Sequence, residues 1–225
     1  MSVTAVIPAA GVGKRFGGET KKQFHLFNGK PALWYTLTML KRSYSFDRFI
    51  IGGSEDDFET IEQNAAEAGI DNLLVVKGGE ERSDTVLNCV IEADSKYVLV
   101  HDAVRPFVPL EVVNKTIEQA MQTGACICGV PLRDTLKVLG RDGIQGTVDR
   151  NRFMLSHTPQ VFEQGMLIAA LMDAKRSRTP VTDEAQAVEM AGRKVQWVES
   201  VPENIKITYS SDVDYVNFLV EKYFS

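Results

Sequence analysis

Short apolar runs alternate with amphipathic segments over the first half of the chain. The runs have the length of buried strands, and the segments between them repeat their apolar positions with the period of a helix. Strands and helices that alternate at this spacing form parallel strands joined by right-handed crossovers. The pattern predicts an α/β fold with an open, doubly wound, mostly parallel (Rossmann-like) sheet. The predicted strands are residues 3–7, 48–52, 73–76, 97–100 and 126–130, and the predicted helices are residues 31–41, 54–68, 83–93 and 110–123.

The rhythm changes after Pro131. Residues 132–150 contain two short β-like runs around Gly140 and Gly143 among many charges, which predicts a protruding β-arm. An arm that leaves a compact body often packs on a second subunit, so we expect a homodimer formed through it. Later helices are predicted at 163–175, 183–191 and 211–223, and later strands at 195–200 and 205–207. We expect one domain over residues 1–225.

Three helix starts carry capping residues. Ser54 with Asp57 is a variant of the capping box, Ser83 is placed to cap the third helix, and Ser211 with Asp214 is placed to cap the last one. Each cap sets the predicted first turn of its helix.

The composition argues against several classes of protein, among them membrane proteins and proteins with a broad nucleic-acid-binding face. The chain has 225 residues, 44% of them hydrophobic, and a formal net charge of −5, so a broad basic face for nucleic acid is not expected. The cysteines Cys89, Cys126 and Cys128 are odd in number and show no C-x-x-C spacing, which favours buried thiols in a reducing compartment. No apolar stretch approaches the ~20 residues of a membrane span. We expect a cytoplasmic protein that binds neither membranes nor nucleic acid.

The loop after the first predicted strand is rich in small residues. It runs from Pro8 through Ala9, Ala10, Gly11, Val12 and Gly13 to Lys14, Arg15 and Phe16. Small residues let backbone N–H groups approach an anion, and two cations follow at once, so the loop is a candidate triphosphate site. No Ser or Thr follows Lys14, which excludes a Walker loop, and Phe16 replaces the third glycine of the dinucleotide fingerprint. The alternative is a tight turn with solvated basic residues.

Further candidates follow other strands, where an open α/β sheet binds its ligand. A lysine of the Lys21–Lys22–Gln23 run could neutralise phosphate charge. Gly78 and Gly79 precede a helix and could offer free N–H groups to an anion or a base edge. Asp102 stands where a carboxylate could hold Mg²⁺ or another divalent cation. The alternatives are a surface lysine, a turn with a helix cap, and an aspartate paired to Arg105.

The second half of the chain contains further candidate site residues, for which the sequence evidence is weaker. Arg133 and Thr135 begin the arm and Arg150 ends it, which suits a phosphorylated substrate or simple solvation. Residues 158–160 are predicted to form a turn, and Thr182 opens a helix. Lys206 points opposite to Ile205 and Ile207 if the segment is extended, so it faces either a cleft or solvent. His101 and His157 are expected to be structural.

Taken together, these stretches resemble the 2-C-methyl-D-erythritol 4-phosphate cytidylyltransferase family along nearly the whole chain. The matching segments are 8–15, 22–23, 78–84, 98–106, 133–137, 147–151, 158–160, 182–185 and 204–208. The family commonly has proline where this chain has Lys21. Because Gln23 fixes the register, Lys22 corresponds to the family's phosphate-facing lysine.

The resemblance implies a nucleotidyltransferase with roles for particular residues. Arg15, Lys22 and Lys206 would stabilise charge at the α-phosphorus. The CTP site would comprise Ala9, Ala10, Gly11, Gly13, Lys14, Gly79, Glu80, Thr85 and Asp102, with Mg²⁺ at Asp102. The sugar-alcohol phosphate would be held by Arg105, Thr135, Arg150, Thr158 and Thr182.

The implied reaction is in-line attack by the acceptor's phosphate oxygen on the α-phosphorus of CTP. The nucleophile is already an anion near pH 7, so no general base is needed. The closest alternative is a ribitol-5-phosphate cytidylyltransferase, against which residues 147–150 and 182–185 argue. A non-catalytic CTP-binding regulator would not need Arg15, Lys22, Asp102 and Lys206 together.

Overall fold

The computed structural model describes residues 2–13, 15–17 and 20–224. The strands are β1 Val3–Pro8, β2 Leu26–Phe27, β3 Lys30–Pro31, β4 Arg48–Gly53, β5 Leu73–Lys77, β6 Tyr97–Val100, β7 Ala125–Pro131, β8 Lys137–Gly140, β9 Gly143–Thr147, β10 Met154–Glu163 and β11 Gln196–Glu199. The α-helices are α1 Ala32–Ser43, α2 Phe58–Glu67, α3 Arg82–Ile91, α4 Leu110–Thr123, α5 Gln164–Arg176, α6 Glu184–Met190 and α7 Val213–Phe224.

A seven-stranded sheet in the order β11-β7-β10-β6-β1-β4-β5 forms the centre of the fold. β1 pairs in parallel with both β4 and β6, and β5 and β11 also join in parallel. Only β10 is antiparallel to its neighbours among the described strands of this sheet. The predicted open, mostly parallel sheet is confirmed.

Helices cover both faces of the sheet. One face packs on α1, α2 and α4 through residues such as Leu37, Ile61 and Ile117. The opposite face packs on α3, α5 and α6 through residues such as Val86 and Leu167. The pleat of β1 directs Ile7 to the first layer and Val6 to the second, since alternate side chains point to opposite faces. The sheet is therefore doubly wound, as the sequence predicts.

β10 is the main element that the sequence did not predict. Residues 158–160 were expected to form a turn, but they lie inside this ten-residue strand. The register of pairing with β7 shifts between His157 and Gln160. Pro159 has no N–H to give to a ladder, and such a residue is accommodated at a bulge. A proline that signals a turn in sequence here marks an irregularity within a strand.

Three predicted caps and one predicted strand were wrong. The Ser54 hydroxyl bonds to the Asp57 carboxylate, and α2 begins only after a 3-10 turn over Glu55–Asp57. The N-cap of α3 is Glu81, whose N–H donates to Asp84 at 3.3 Å, so Ser83 lies within the first turn.

At the last helix, Asp212 rather than Ser211 accepts from the N–H groups of Thr208 (2.8 Å) and Tyr209 (2.9 Å). Residues 205–207 form no strand. The backbone of this segment makes one described backbone–backbone hydrogen bond to the body, from the Ile207 N–H to the Val104 carbonyl at 3.0 Å, which is too little pairing for a ladder.

The predicted arm contains a separate antiparallel hairpin made of β8 and β9. Its apolar side chains are exposed, with Leu139 at 79% and Ile144 at 65% of full accessibility. A hairpin that leaves such side chains in solvent contributes little to the core of its own chain. Among the described residues, no helix combines the length and apolar character needed to cross a membrane.

Candidate active site

A polar cleft opens at the carboxyl ends of β1, β5 and β6. It is lined by residues 8–11, Lys22 and Gln23, residues 79–82 with Thr85, residues 102–104, and Lys206. Loops far apart in sequence meet here because parallel strands end at the same edge of the sheet. Most of the predicted nucleotide and catalytic residues are thus brought together.

The glycine-rich loop is held in shape by Gln23. The buried amide of this residue donates to the carbonyls of Ala9 at 2.7 Å and Gly11 at 3.0 Å. The backbone N–H groups of residues 10–13 find no acceptor among the described residues. Free N–H groups on a fixed loop are what an anion site requires. Lys14, which the sequence also assigns to this site, lies outside the described residues.

Lys22 faces the cleft and Lys21 does not. The Lys21 ammonium bonds to Ser54 Oγ at 2.7 Å and pairs with Asp57. The Lys22 ammonium lies 3.2 Å from the Ile207 carbonyl, and the stem of Lys22 packs on Gly13, where a Cβ would come within 3.1 Å of Lys22 Cγ. Burial and then the charge of Lys206 lower the pKa of Lys22 to about 8. Lys22 is therefore the lysine of this pair that an anion in the cleft would meet.

Asp102 is the centre of the charge cluster on the cleft floor. Its Oδ1 accepts from Arg82 Nε at 3.1 Å, and its Oδ2 lies 3.3 Å from Arg105 Nε and 2.9 Å from Lys206 Nζ. Burial alone would raise the pKa of Asp102, but Arg82, Lys206 and Arg105 outweigh it and hold that pKa well below its usual value. The carboxylate remains ionised at neutral pH.

Arg82 and Glu184 belong to this cluster and were missed from the sequence. Arg82 Nη1 and Nη2 bond to the two carboxylate oxygens of Glu184 at 2.7 and 3.1 Å. Glu184 is 1% exposed and shares the inner face of α6 with Ala187 and Val188. A carboxylate at helical spacing with buried apolar residues was the available signal, since such a residue is rarely buried without a partner.

The glycines after β5 allow close packing of two loops, and their N–H groups are not free to donate to a ligand. The Gly78 N–H bonds to the Gly53 carbonyl at 2.8 Å, and the Gly79 N–H to Thr85 Oγ1 at 3.1 Å. The prediction that both N–H groups are free was therefore wrong. A Cβ on Gly78 would lie 2.5 Å from Ala10 Cβ, so glycine lets this loop approach the nucleotide loop. Glu80 lies at the cleft edge beside them.

Arg105 and Thr158 brace Asp102 from behind. Arg105 Nη1 donates to the Asn204 carbonyl at 2.8 Å, and the backbone N–H of Asp102 donates to Thr158 Oγ1 at 3.1 Å. Both residues are buried and do not line the cleft. Their predicted contact with the acceptor stays a prediction.

The remaining predicted site residues lie outside this cleft. Thr135 and Arg150 are exposed at the two ends of the arm, where an Arg150 N–H bonds to the Arg133 carbonyl. Thr182 is exposed, with its hydroxyl 3.0 Å from Gln186 Oε1. The Arg15 guanidinium stands 5.9 Å from the centre of the Tyr209 ring. The single chain thus assembles most of the nucleotide side of the predicted site but not its acceptor side.

The two histidines near the cleft are embedded in the fold. Burial lowers the pKa of His101 and of His157 to about 4. His101 Nε2 lies 2.9 Å from the Arg105 carbonyl. Both rings are therefore neutral at physiological pH and add no charge to the cluster.

Asp102 is the described carboxylate on the cleft floor that could bind a divalent cation. Among the described residues, no group of three or more His, Cys, Asp or Glu side chains could hold a metal ion. Asp102 Oδ1 accepts a single bond, from Arg82, and so keeps a lone pair for a cation. Mg²⁺ is often bound by one carboxylate together with substrate phosphates and water. The residues fit Mg²⁺ if a nucleotide supplies the other oxygens.

Comparison with known proteins places this architecture in a family. The family model described as 2-C-methyl-D-erythritol 4-phosphate cytidylyltransferase matches residues 3–222. The protein of that name from Bacillus cytotoxicus is 36% identical over 212 residues, covering 93% of this chain and 94% of the relative. The one from Acinetobacter baylyi is 37% identical over 223 residues, covering 96% and 92%.

Solved structures agree with the sequence match. The 4-diphosphocytidyl-2C-methyl-D-erythritol synthase of Anaerococcus prevotii superimposes with a TM-score of 0.87 at 29% identity, covering 98% of this chain and 96% of that one. The cytidylyltransferase of Thermus thermophilus gives 0.82 at 27% identity, covering 98% and 100%. The matched range, the identities and the shared fold together show that the chain belongs to the 2-C-methyl-D-erythritol 4-phosphate cytidylyltransferase family.

Proposed function

We propose that the protein transfers the cytidylyl group of CTP to 2-C-methyl-D-erythritol 4-phosphate in isoprenoid precursor synthesis. The products are 4-diphosphocytidyl-2-C-methyl-D-erythritol and pyrophosphate. The observation that carries this proposal is the cluster of Lys22, Lys206, Arg82 and Arg105 beside the N–H groups of residues 10–13. Nucleotidyl transfer is the reaction class of the family to which the chain belongs.

CTP would lie along the cleft with its triphosphate over the loop. Ala9, Ala10, Gly11 and Gly13 provide the close backbone approach, with Arg15 beyond them. The cytosine would lie against Gly79, Glu80 and Thr85, and the ribose between Ala10 and Asp102. The contact of Gly78 with Ala10 supports this placement, because it keeps the loop for the base next to the loop for the phosphates.

The charge balance of the cluster suits a polyanion. Four cations, Lys22, Lys206, Arg82 and Arg105, face the two carboxylates of Asp102 and Glu184. The cation excess, in a partly desolvated cleft, stabilises charge far better than it would in water.

In the proposed reaction, an oxygen of the acceptor phosphate bonds to the α-phosphorus of CTP. The bond from that phosphorus to the bridging oxygen breaks, and the electron pair leaves with pyrophosphate. Lys22 and Lys206 neutralise charge as it develops on the α-phosphate, and Arg15 would join them once the nucleotide is bound. Mg²⁺ held by Asp102 and the nucleotide would supply further neutralisation. Catalysis on this scheme is positioning and electrostatics, with no general base.

The acceptor side would be completed by a second subunit. Thr135 and Arg150 lie on the arm, away from the cleft of their own chain. Leu139 and Ile144 of the arm are exposed, and so is Phe153 just beyond it. A homodimer that buries these side chains would bring the second subunit's arm to the cleft, where Arg150 would pair with the acceptor phosphate. Thr158, Thr182 and Arg105 would support the same substrate.

The proposal has two competitors that one assay separates. Pyrophosphate release is measured with CTP, Mg²⁺ and either methylerythritol phosphate or ribitol 5-phosphate. We expect release with the first acceptor and little with the second. Release with ribitol 5-phosphate alone would identify a ribitol-5-phosphate cytidylyltransferase. CTP binding without release for either acceptor would indicate a regulator.

We also propose a cytoplasmic location. Cys89, Cys126 and Cys128 are all buried free thiols. Such thiols are typical of a reducing compartment.

A further inference from the structure

One buried carboxylate has no part in the reaction proposed above. Glu184 is 1% exposed, and its only described side-chain partner is Arg82. Burial raises the pKa of Glu184 even though Arg82 opposes the shift. Burying a carboxylate costs folding free energy unless the carboxylate is paired. The presence of Glu184 beside the cleft therefore suggests that it has a function there.

The contact with Glu184 fixes the orientation of the Arg82 guanidinium as well as balancing its charge. Both Nη atoms of Arg82 are taken by Glu184, at 2.7 and 3.1 Å, which leaves Nε for Asp102 Oδ1 at 3.1 Å. A guanidinium is planar, so a carboxylate that holds its fork also sets the line along which Nε donates. Glu184 therefore determines where Arg82 can hold Asp102.

The carboxylate is itself rigidly mounted at the start of α6. Asp183 accepts from the Gln186 N–H at 3.0 Å and from Gln160 Nε2 at 2.9 Å. Gln160 Oε1 in turn accepts from the Ala185 N–H at 3.1 Å. Gln160 lies on β10, the strand whose Thr158 hydroxyl accepts from the Asp102 N–H. α6 and β10 are therefore joined to each other and both are linked to Asp102, α6 through Glu184 and Arg82 and β10 through Thr158.

We propose that Glu184 is a positioning residue for nucleotide binding, which acts through Arg82 to aim the Asp102 carboxylate at the ribose and the divalent cation. The proposal rests on the assignment of this cleft to CTP. Partners that orient a first ligand in this way typically change affinity by about 10- to 100-fold when they are lost. We expect Glu184→Gln to raise the dissociation constant for Mg²⁺·CTP by about tenfold.

The test is equilibrium titration of the full-length protein with Mg²⁺·CTP, by calorimetry, which reports stoichiometry as well as affinity. Glu184→Gln should lose affinity at an unchanged stoichiometry, so that a partly unfolded sample is recognised by its low stoichiometry. Glu189→Gln is the matched control, because it makes the same change on the same helix at an exposed position that does not hold Glu184 or touch Arg82. It should stay within about threefold of the wild type.

A second variant keeps the proposal testable if Glu184→Gln folds poorly. Arg82→Lys retains the cation but cannot hold Glu184 with two nitrogens and Asp102 with a third, so it should show a similar loss. In an Asp102→Asn background, Glu184→Gln should have little further effect, since residues that act through one another are not additive.

Three results would overturn the proposal while leaving CTP binding in place. They are a Glu184→Gln affinity within twofold of the wild type, an equal loss in Glu189→Gln, and full additivity with Asp102→Asn. Failure of the wild type to bind Mg²⁺·CTP would instead overturn the proposed function and this inference together.

Discussion

Lys206 Nζ lies 2.9 Å from Asp102 Oδ2, and this ion pair joins two segments that are about a hundred residues apart in the chain. The same oxygen also faces Arg105 Nε at 3.3 Å. In the free protein the pair keeps Lys206 at the cleft floor. A bound triphosphate would compete for this ammonium, so on the proposed mechanism the pair keeps Lys206 close to the α-phosphate before CTP binds.

Replacing Lys22 tests the principal cation. Lys22→Ala should lower turnover by roughly 10²–10³-fold, as the loss of one preorganised charge-stabilising group does elsewhere. Lys21→Ala is the natural control, because Lys21 pairs with Asp57 and Ser54 instead. Steady-state pyrophosphate release measures both. Near-normal turnover in Lys22→Ala, or an equal loss in Lys21→Ala, would refute the assignment of Lys22.

The dependence of CTP use on pH should report Lys22. Burial beside other cations lowers the pKa of Lys22 to about 8 in the free protein. Lys22 is therefore charged below pH 8 and loses its charge as the pH rises through that value. We expect kcat/KM for CTP to fall above about pH 8.

The pH prediction has its control at the same position. Lys22→Arg keeps its charge throughout this range, since arginine does not deprotonate there. Its profile, at whatever absolute activity, should stay flat between pH 7.5 and about 9.5. The same alkaline decline in wild type and Lys22→Arg would assign the titration to another group.

Removing the Asp102 carboxylate should destabilise the fold as well as the site. Asp102→Asn leaves Arg82, Arg105 and Lys206 without their shared counter-charge, and breaking a buried pair costs about 3–5 kcal/mol. Urea unfolding at pH 7 should show this loss. The matched control is Asp173→Asn, which breaks the exposed pair with Arg176 and should cost about 0–1 kcal/mol.

The stability difference should also follow pH. The pKa of Asp102 is depressed in the folded state, so its contribution is complete above its usual pKa and is lost as pH falls through the folded-state value. The gap between wild type and Asp102→Asn should be constant from about pH 7 to pH 5 and narrow in stronger acid. A gap that widens in acid would contradict the depressed pKa.

The approach of two loops at Gly78 should be required for nucleotide binding. In Gly78→Ala the new methyl would lie 2.5 Å from Ala10 Cβ and 3.1 Å from Thr85 Oγ1. Relief of that clash should cost about 1–3 kcal/mol and raise the KM for CTP. Gly146→Ala on the arm meets nothing within 4 Å and should leave that KM unchanged. Equal KM values for the two variants would refute this role for Gly78.

The arm should govern both association and acceptor use. Leu139→Asp places a charge at a side chain that is 79% exposed in one subunit, and should convert a homodimer to monomers in light scattering after gel filtration. CTP binding should survive while turnover falls. Met172→Asp, on the exposed face of α5, should remain dimeric. A Leu139→Asp protein of unchanged mass and activity would exclude the arm as the interface.

The sequence predicted best where local pattern and tertiary environment agree. β6 and α4 begin and end as predicted. The apolar run of β6 is typical of a buried strand, and the amphipathic period of α4 is typical of a helix. β10 was missed because Pro159 carries the same local signal in a bulge as in a turn. Residues 205–207 alternate like a strand, and Lys206 does face the cleft, but alternation alone does not supply a hydrogen-bonded neighbour.

The residues of the candidate site also fall into those that the sequence predicted and those that it did not. Ala9, Gly11 and Asp102 were found because each follows the end of a predictable strand, whereas Lys22 and Lys206 were assigned through the family resemblance. The Arg82–Glu184 bond joins residues separated by 102 positions, and nothing local to either residue indicates the other. Pairings of this kind are set by how α3 and α6 pack on the sheet, which only the folded structure shows.

The packing of α7 bears on the segment that carries Lys206. Ile207, next to Lys206, lies in one buried cluster with Phe16 from the nucleotide loop and with Val216, Leu219 and Val220 of α7. Without α7, Ile207 would lose three buried side chains of this cluster, so we expect a chain cut before α7 to hold Lys206 less firmly. A protease cut near residue 210 should therefore lower turnover even where the central sheet stays folded.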